Sequence, residues 1–141
     1  MVSSLRSFVV LLLLMIACCK GNTSPEAVVD DLDALIRELR NEGATVNTVG
    51  SVSQPFFSAS GQILRINGED LQVFEYENAA AAQGEAARVS PDGSSVGTTI
   101  ITWVSTPHFY RSGKVIALYI GSSRELLSLL DSVLGPQFAG G

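Results

Sequence analysis

The spacing of apolar residues changes period along the chain, and each change marks an element. Val28, Leu32, Leu35 and Leu39 recur at intervals of four, three and four, flanked by Val29 and Ile36, while Asp30, Asp31, Asp33, Arg37 and Glu38 fall on the other side. This is the stripe of an amphipathic helix. Ser24-Pro25-Glu26 predicts its start, with Ser as N-cap, Pro at the first helical position and acid in the first turn. Asn41-Glu42-Gly43 predicts its end, with Gly43 suited to the left-handed C′ position. From Thr45 to Ser53 β-branched residues surround Gly50, which predicts an irregular strand. Gln62 to Ile66 and Asp70 to Tyr76 then alternate on either side of Asn67-Gly68. Both of those turn residues tolerate positive φ, so a tight type I′ hairpin is expected.

Asn78 predicts the cap of a helix from Ala79 to Arg88, Ala-rich and interrupted by Gly84, as close packing on a sheet requires; Ser90-Pro91-Asp92-Gly93 stops it. Thr98 to Ser105 carries Ile100, Ile101, Trp103 and Val104. Being apolar on both faces, it reads as a central strand, broken by Pro107. His108 to Tyr110, a turn at Ser112-Gly113, and Val115 to Ile120 predict a second hairpin. Ser122 and Glu125 have the spacing of a capping box, opening a helix with Leu126, Leu127, Leu129, Leu130, Val133 and Leu134 that Gly135-Pro136 closes. The order α-β-ββ-α-β-ββ-α predicts an α+β fold, with an antiparallel sheet of about five strands and helices packed mainly on one face. Pro55-Phe56-Phe57-Ser58-Ala59-Ser60-Gly61-Gln62-Ile63-Leu64 is echoed by Pro107-His108-Phe109-Tyr110-Arg111-Ser112-Gly113-Lys114-Val115-Ile116. The echo suggests two similar ββα halves behind an N-terminal helix.

The first twenty residues follow neither period. Arg6 precedes the apolar run Phe8 to Ala17, which ends in Cys18-Cys19-Lys20. Ten apolar residues are half of the roughly 20 that cross a bilayer as a helix, so the run reads as a signal peptide. Cutting at an ordinary signal-peptidase site after Ala17 would place bulky Met15 at −3. Leu14-Met15-Ile16-Ala17-Cys18 instead resembles the bacterial lipobox. That resemblance implies cleavage before Cys18, a diacylglyceryl group on its thiol, and anchorage to the cell membrane or outer membrane with the rest of the chain outside the cytoplasm. The resemblance thus implies a lipoprotein signal peptide over residues 1–17, a lipidated tether over 18–23 and a single α+β domain over 24–141. Removing 1–17 leaves 124 residues, enough for one core.

Composition narrows the chemistry. Both cysteines sit at 18 and 19, so the domain has no disulfide, thiol nucleophile or cysteine metal site. After residue 17 there are eight Lys and Arg against fourteen Asp and Glu, a formal charge of −6 with no basic run, which disfavours nucleic acid as a partner. Gly93-Ser94-Ser95-Val96-Gly97 matches the nucleophile-elbow spacing. That elbow needs a strand before the serine and a helix after it, whereas the predicted order here is helix, turn, strand. A single histidine excludes the usual zinc sets, and Asp30, Asp31 and Asp33 diverge around a helix rather than converging on calcium. No catalytic set, metal site or cofactor is expected.

The aromatic residues remain. Trp103, His108, Phe109 and Tyr110 lie close in sequence, with Phe56 and Phe57 at the echoing position. They form either a recognition surface at a sheet edge or part of the core. Pro107 to Gly121, Leu134 to Gly140, and the Asn-Gly-Glu-Asp hairpin leading into Phe74-Glu75-Tyr76 resemble a group of small uncharacterised bacterial lipoproteins. That likeness supports the lipid anchor and carries over no functional residue except Cys18. The expectation is a non-enzymatic, membrane-tethered module that binds an envelope protein or serves structurally; the alternative is a small-molecule binder with a pocket between sheet and helices.

Overall fold

The computed structural model of the chain describes residues 28–141. The signal segment and Cys18 tether expected over residues 1–23, and the helix start expected at Ser24-Pro25-Glu26, lie outside the described residues. The elements are α1 (Leu32–Asn41), β1 (Val46–Val52), β2 (Gly61–Ile66), β3 (Glu69–Glu75), α2 (Ala79–Ala86), β4 (Ser95–Val96), β5 (Thr99–Ile100), β6 (Pro107–Ser112), β7 (Val115–Ile120), α3 (Arg124–Leu134) and β8 (Ala139–Gly140). Six strands form one antiparallel sheet in the order β1-β2-β3-β7-β6-β8, and β4 and β5 form a separate hairpin. The fold is α+β, with six strands in the main sheet where about five were expected.

The sheet is built where two hairpins meet. Asn67 and Gly68 take φ of 50° and 90°, as a type I′ turn requires, and lock Ile66 opposite Glu69. β3 then pairs with β7, from Leu71 opposite Tyr119 to Glu75 opposite Val115. Side chains alternate along a strand, so β7 faces two ways. Val115, Ala117 and Tyr119 join Leu35, Leu39, Leu126, Leu130 and Leu134 of α1 and α3 in one buried cluster. Ile116 and Leu118 join Ala82 and Ala86 of α2, with Phe56, Phe57, Phe74 and Phe109, in the other. Two helices thus pack with one core and the third with the opposite one.

β1 serves both cores through an irregularity. Val46 packs with the α1–α3 cluster and Val52 against the α2 cluster. Six residues apart, they would share a face in a regular strand. The register slips between Thr48 and Gly50, leaving Val49 as an extra residue, and this bulge shifts the alternation.

Several boundaries differ from expectation. α1 starts at Leu32, not near Ser24: Asp31 is extended and its carboxylate accepts from Ala34 N at 2.8 Å, making it the N-cap. Val28 and Val29 precede the helix, Val28 exposed and Val29 buried, because Ser112 Oγ and Lys114 N bind the Val29 and Asp30 carbonyls and hold this stretch against the β6–β7 turn. The cap of α3 is Ser123 rather than Ser122, its hydroxyl accepting from Leu126 N. β8 has no apolar period to announce it. It closes on β6 because Gly140 takes φ of 87° and leaves no Cβ to strike the Pro107 carbonyl.

The central strand expected at Thr98–Ser105 does not form. Gly97, at φ 59°, turns the chain so that Thr99 and Ile100 pair with Val96 and Ser95, a partner only a few residues away. The slots beside β7 are filled by β3 and β6. The sequence echo also resolves into different structures. Pro107–Ser112 is strand β6, whereas Pro55 and Phe56 form a turn. α2 and α3, which follow the two hairpins, join opposite cores.

Candidate functional site

Three of the six expected aromatic-site residues lie on β6, which divides them by parity. Phe109 points into the α2 core, where Phe56 and Phe57 are also buried. Phe57 lies 4.9 Å from both Phe56 and Phe74 between ring centroids, and 6.4 Å from Phe109. Tyr110 turns to the α1–α3 core. Phe56, Phe57, Phe109 and Tyr110 are therefore core and do not gather as a surface. The mutual edge-on and tilted geometry of Phe56, Phe57, Phe74 and Phe109 is that of packed rings, which contribute beyond area burial.

His108 is buried and stacks on Tyr119 at 5.9 Å with an interplanar angle of 21°. Its Nδ1 lies 2.7 Å from Gln137 Oε1 and its Nε2 lies 3.1 Å from the Gly121 carbonyl oxygen. Both ring nitrogens are thus engaged. The imidazolium donates to both oxygens; the neutral ring donates to Gly121 and accepts at Nδ1 once the Gln137 amide is reversed. Either way His108 ties the C-terminal segment to β6, and neither nitrogen is free to take a proton from a substrate.

His108 and Gln137 border a cleft of about 170 Å³ with Tyr110, Leu127, Asp131 and Pro136. Burial first, and then a hydrogen bond and the charge of Asp131, push the Tyr110 phenol up. A second cleft of about 280 Å³ lies beside Val29, Ser112 and Leu134, and a third of about 320 Å³ beside Ile66, Glu69 and Glu125. Ligand pockets run from roughly 300 to 1,000 Å³. Only the third reaches that range, at its lower end, and its Glu69 is already bonded to the Tyr119 hydroxyl at 3.0 Å.

Among the described residues, no group of three or more His, Cys, Asp or Glu is arranged to hold a metal ion. The Gly93–Gly97 motif is a turn organised by Asp92. One carboxylate oxygen accepts from Ser94 N at 3.0 Å and from the Ser90 and Ser94 hydroxyls at 2.8 Å. The Ser94 N–H, followed by the Ser90 and Ser94 hydroxyls, holds the Asp92 carboxyl down at about 2. Ser95 follows in β4, with another strand rather than a helix after it.

Trp103 has a different setting. It is half-buried, its indole N–H donates to the Gly93 carbonyl at 2.7 Å, and its ring sits 5.9 Å from Phe56 and 6.0 Å from Phe109. Along the segment that carries it, burial alternates. Thr99, Ile101 and Trp103 are partly covered, while Ile100, Thr102 and Val104 face outward. Ile100 is 85 % exposed and Val104 97 %. Scattered exposed aliphatics are ordinary, but these two lie on one side of one short segment. No charged residue occurs from Gly93 to Tyr110. Ile100, Thr102 and Val104 are the residues that the aromatic reading missed, and that charge-free run was the available signal.

No helix among the described residues is long and apolar enough to cross a membrane. Comparison with protein-family models, curated proteins and solved structures found no match.

Proposed function

We propose that the chain is an exported lipoprotein, anchored through Cys18, whose region 24–141 is a non-enzymatic protein-docking module in the cell envelope. The observation that carries the docking reading is the outward apolar side of Thr99–Val104, with Ile100 and Val104 almost bare on a segment without charge. The anchor rests on Leu14-Met15-Ile16-Ala17-Cys18. A diacylglyceryl group brings two acyl chains, and two chains anchor stably where one binds marginally.

The geometry suits a tethered module. The described chain enters at the β6–β7 turn, where Val29 and Asp30 bind Ser112 and Lys114, and the docking segment leads into the other end of β6 through Thr106. Six strand residues separate the two points by about 17–20 Å. A partner can therefore be met at the end of β6 away from the point where Val29 and Asp30 join the sheet.

Metabolic labelling with a radioactive fatty acid in a bacterial host tests the anchor. The native chain is expected to take up label and fractionate with membranes, and Cys18→Ser to lose both. Label retained by Cys18→Ser, or never acquired by the native chain, overturns the assignment.

A further inference from the structure

We infer that the partner of the Thr99–Val104 segment is a second copy of this chain, lying antiparallel against it across a two-fold axis at Thr102. The inference rests on the docking reading above and names the occupant of that surface.

The segment has the local form of a strand with one side unserved. Its burial alternates with period two from Thr99 to Val104, before the chain bends at Val104 and Ser105 towards β6. β4 pairs with it only at Thr99 and Ile100, and Ile101 N reaches the Ser94 carbonyl. From Thr102 to Ser105, no backbone group bonds to another described residue. Extended backbone with free donors and acceptors and β-branched side chains is what strand addition uses.

The order of residues then selects the occupant. Antiparallel alignment about Thr102 sets Ile100 opposite Val104 of the second copy, Ile101 opposite Trp103 and Thr102 opposite its own counterpart, within the stretch between the Gly97–Thr98 turn and the bend at Ser105. Aliphatic meets aliphatic or indole, and hydroxyl meets hydroxyl. A two-fold contact demands a surface complementary to itself, and this one is. Each exposed Ile100 stands beside an exposed Val104 on the same face of the joined strands, so the bare residues of the two copies shield one another. Two copies that each carry a net charge of −6 after residue 17 bring no like charges together here, because the run Gly93–Tyr110 has none. Confinement to one membrane raises the effective concentration of so small a contact.

Cysteine pairing in native membranes tests the register, with the full-length chain made in a bacterial host and the unsubstituted chain as background for Cys18 and Cys19. Thr102 is exposed, so its replacement leaves the fold intact. On mild oxidation, Thr102→Cys is expected to give at least a several-fold excess of disulfide-linked dimer. Ile100→Cys and Val104→Cys are expected to link to each other when co-expressed, and weakly or not at all when each is expressed alone. No dimer above background, or Val104→Cys dimerising alone as well as Thr102→Cys, overturns the inference. A benzophenone amino acid placed at position 102 separates this failure from that of the docking reading. An adduct at twice the chain mass supports self-pairing, and an adduct only with another protein overturns it while the docking surface stands. No adduct of any mass removes both.

Discussion

Three donors converge on one oxygen of Asp92, and this sets how the β4–β5 excursion responds to acid. The carboxyl is held at about 2, against an ordinary 3.8. A carboxyl with a lower pKa folded than unfolded contributes stability that is complete above the unfolded value and is lost as pH falls through the folded one. The unfolding midpoint of the native chain should therefore drop between about pH 4 and pH 2 more steeply than that of Asp92→Asn, followed by circular dichroism. Equal slopes would show that the Ser90–Ser94 turn does not depend on the charge. At this scale, residue types were legible in the sequence and their settings were not. His108 stood out as the only histidine, yet its environment is fixed by Gln137, 29 residues later, and by the Gly121 carbonyl. The aromatic cluster misled because neighbours along β6 face opposite cores, so Phe109 and Tyr110 cannot share a surface.

Elements with their own local reasons were legible. The Asn67-Gly68 hairpin needs only the positive φ that its two residues supply, and α2 needs only the Asn78 side chain, which accepts from Ala81 N at 2.8 Å. Gly68→Ala tests the first point. A Cβ there meets no atom within 4 Å, so the cost is purely that of φ at 90°. It should be about 1–2 kcal/mol, read from denaturant unfolding; a neutral result would mean that the turn relaxes to another type. Elements that depend on distant partners were misread or missed. Thr98–Ser105 has the composition of a central strand, but adjacency in the sheet is decided by which hairpins dock, and β3 and β6 occupy both sides of β7. β8 is two residues long and exists through its pairing with β6. The period of a sequence reports what a segment buries, and Ile100 and Val104 are places where the isolated chain leaves that demand unmet.

For the whole molecule, the two cores share β7 as a common wall, with Val115, Ala117 and Tyr119 on one side and Ile116 and Leu118 on the other. The α+β class could be anticipated because it follows from element order. The double-sided sheet left one trace, the unbroken apolar run Val115–Ile120 that is buried on both faces, but nothing in periodicity says which helix covers which face. β1 joins the same two cores through its bulge, and the bulge has a consequence for what the chain can lose. In the observed register, Thr48 already sits opposite Leu64 and Gly50 opposite Ile63. Deleting Val49 would therefore leave every remaining side chain of β1 on its present face and return the strand to regularity. The shortened chain should still fold with the same circular dichroism spectrum. Its outer strand would then be straight, with no charged side chain of its own and with only the Val46 carbonyl engaged at that edge, by Arg40 at 2.8 Å, the kind of edge that recruits further strands. The expected penalty is precipitation on concentration, visible as rising light scattering, with no fall in melting temperature. Val49 is dispensable for architecture; what it supplies is good behaviour in a crowd.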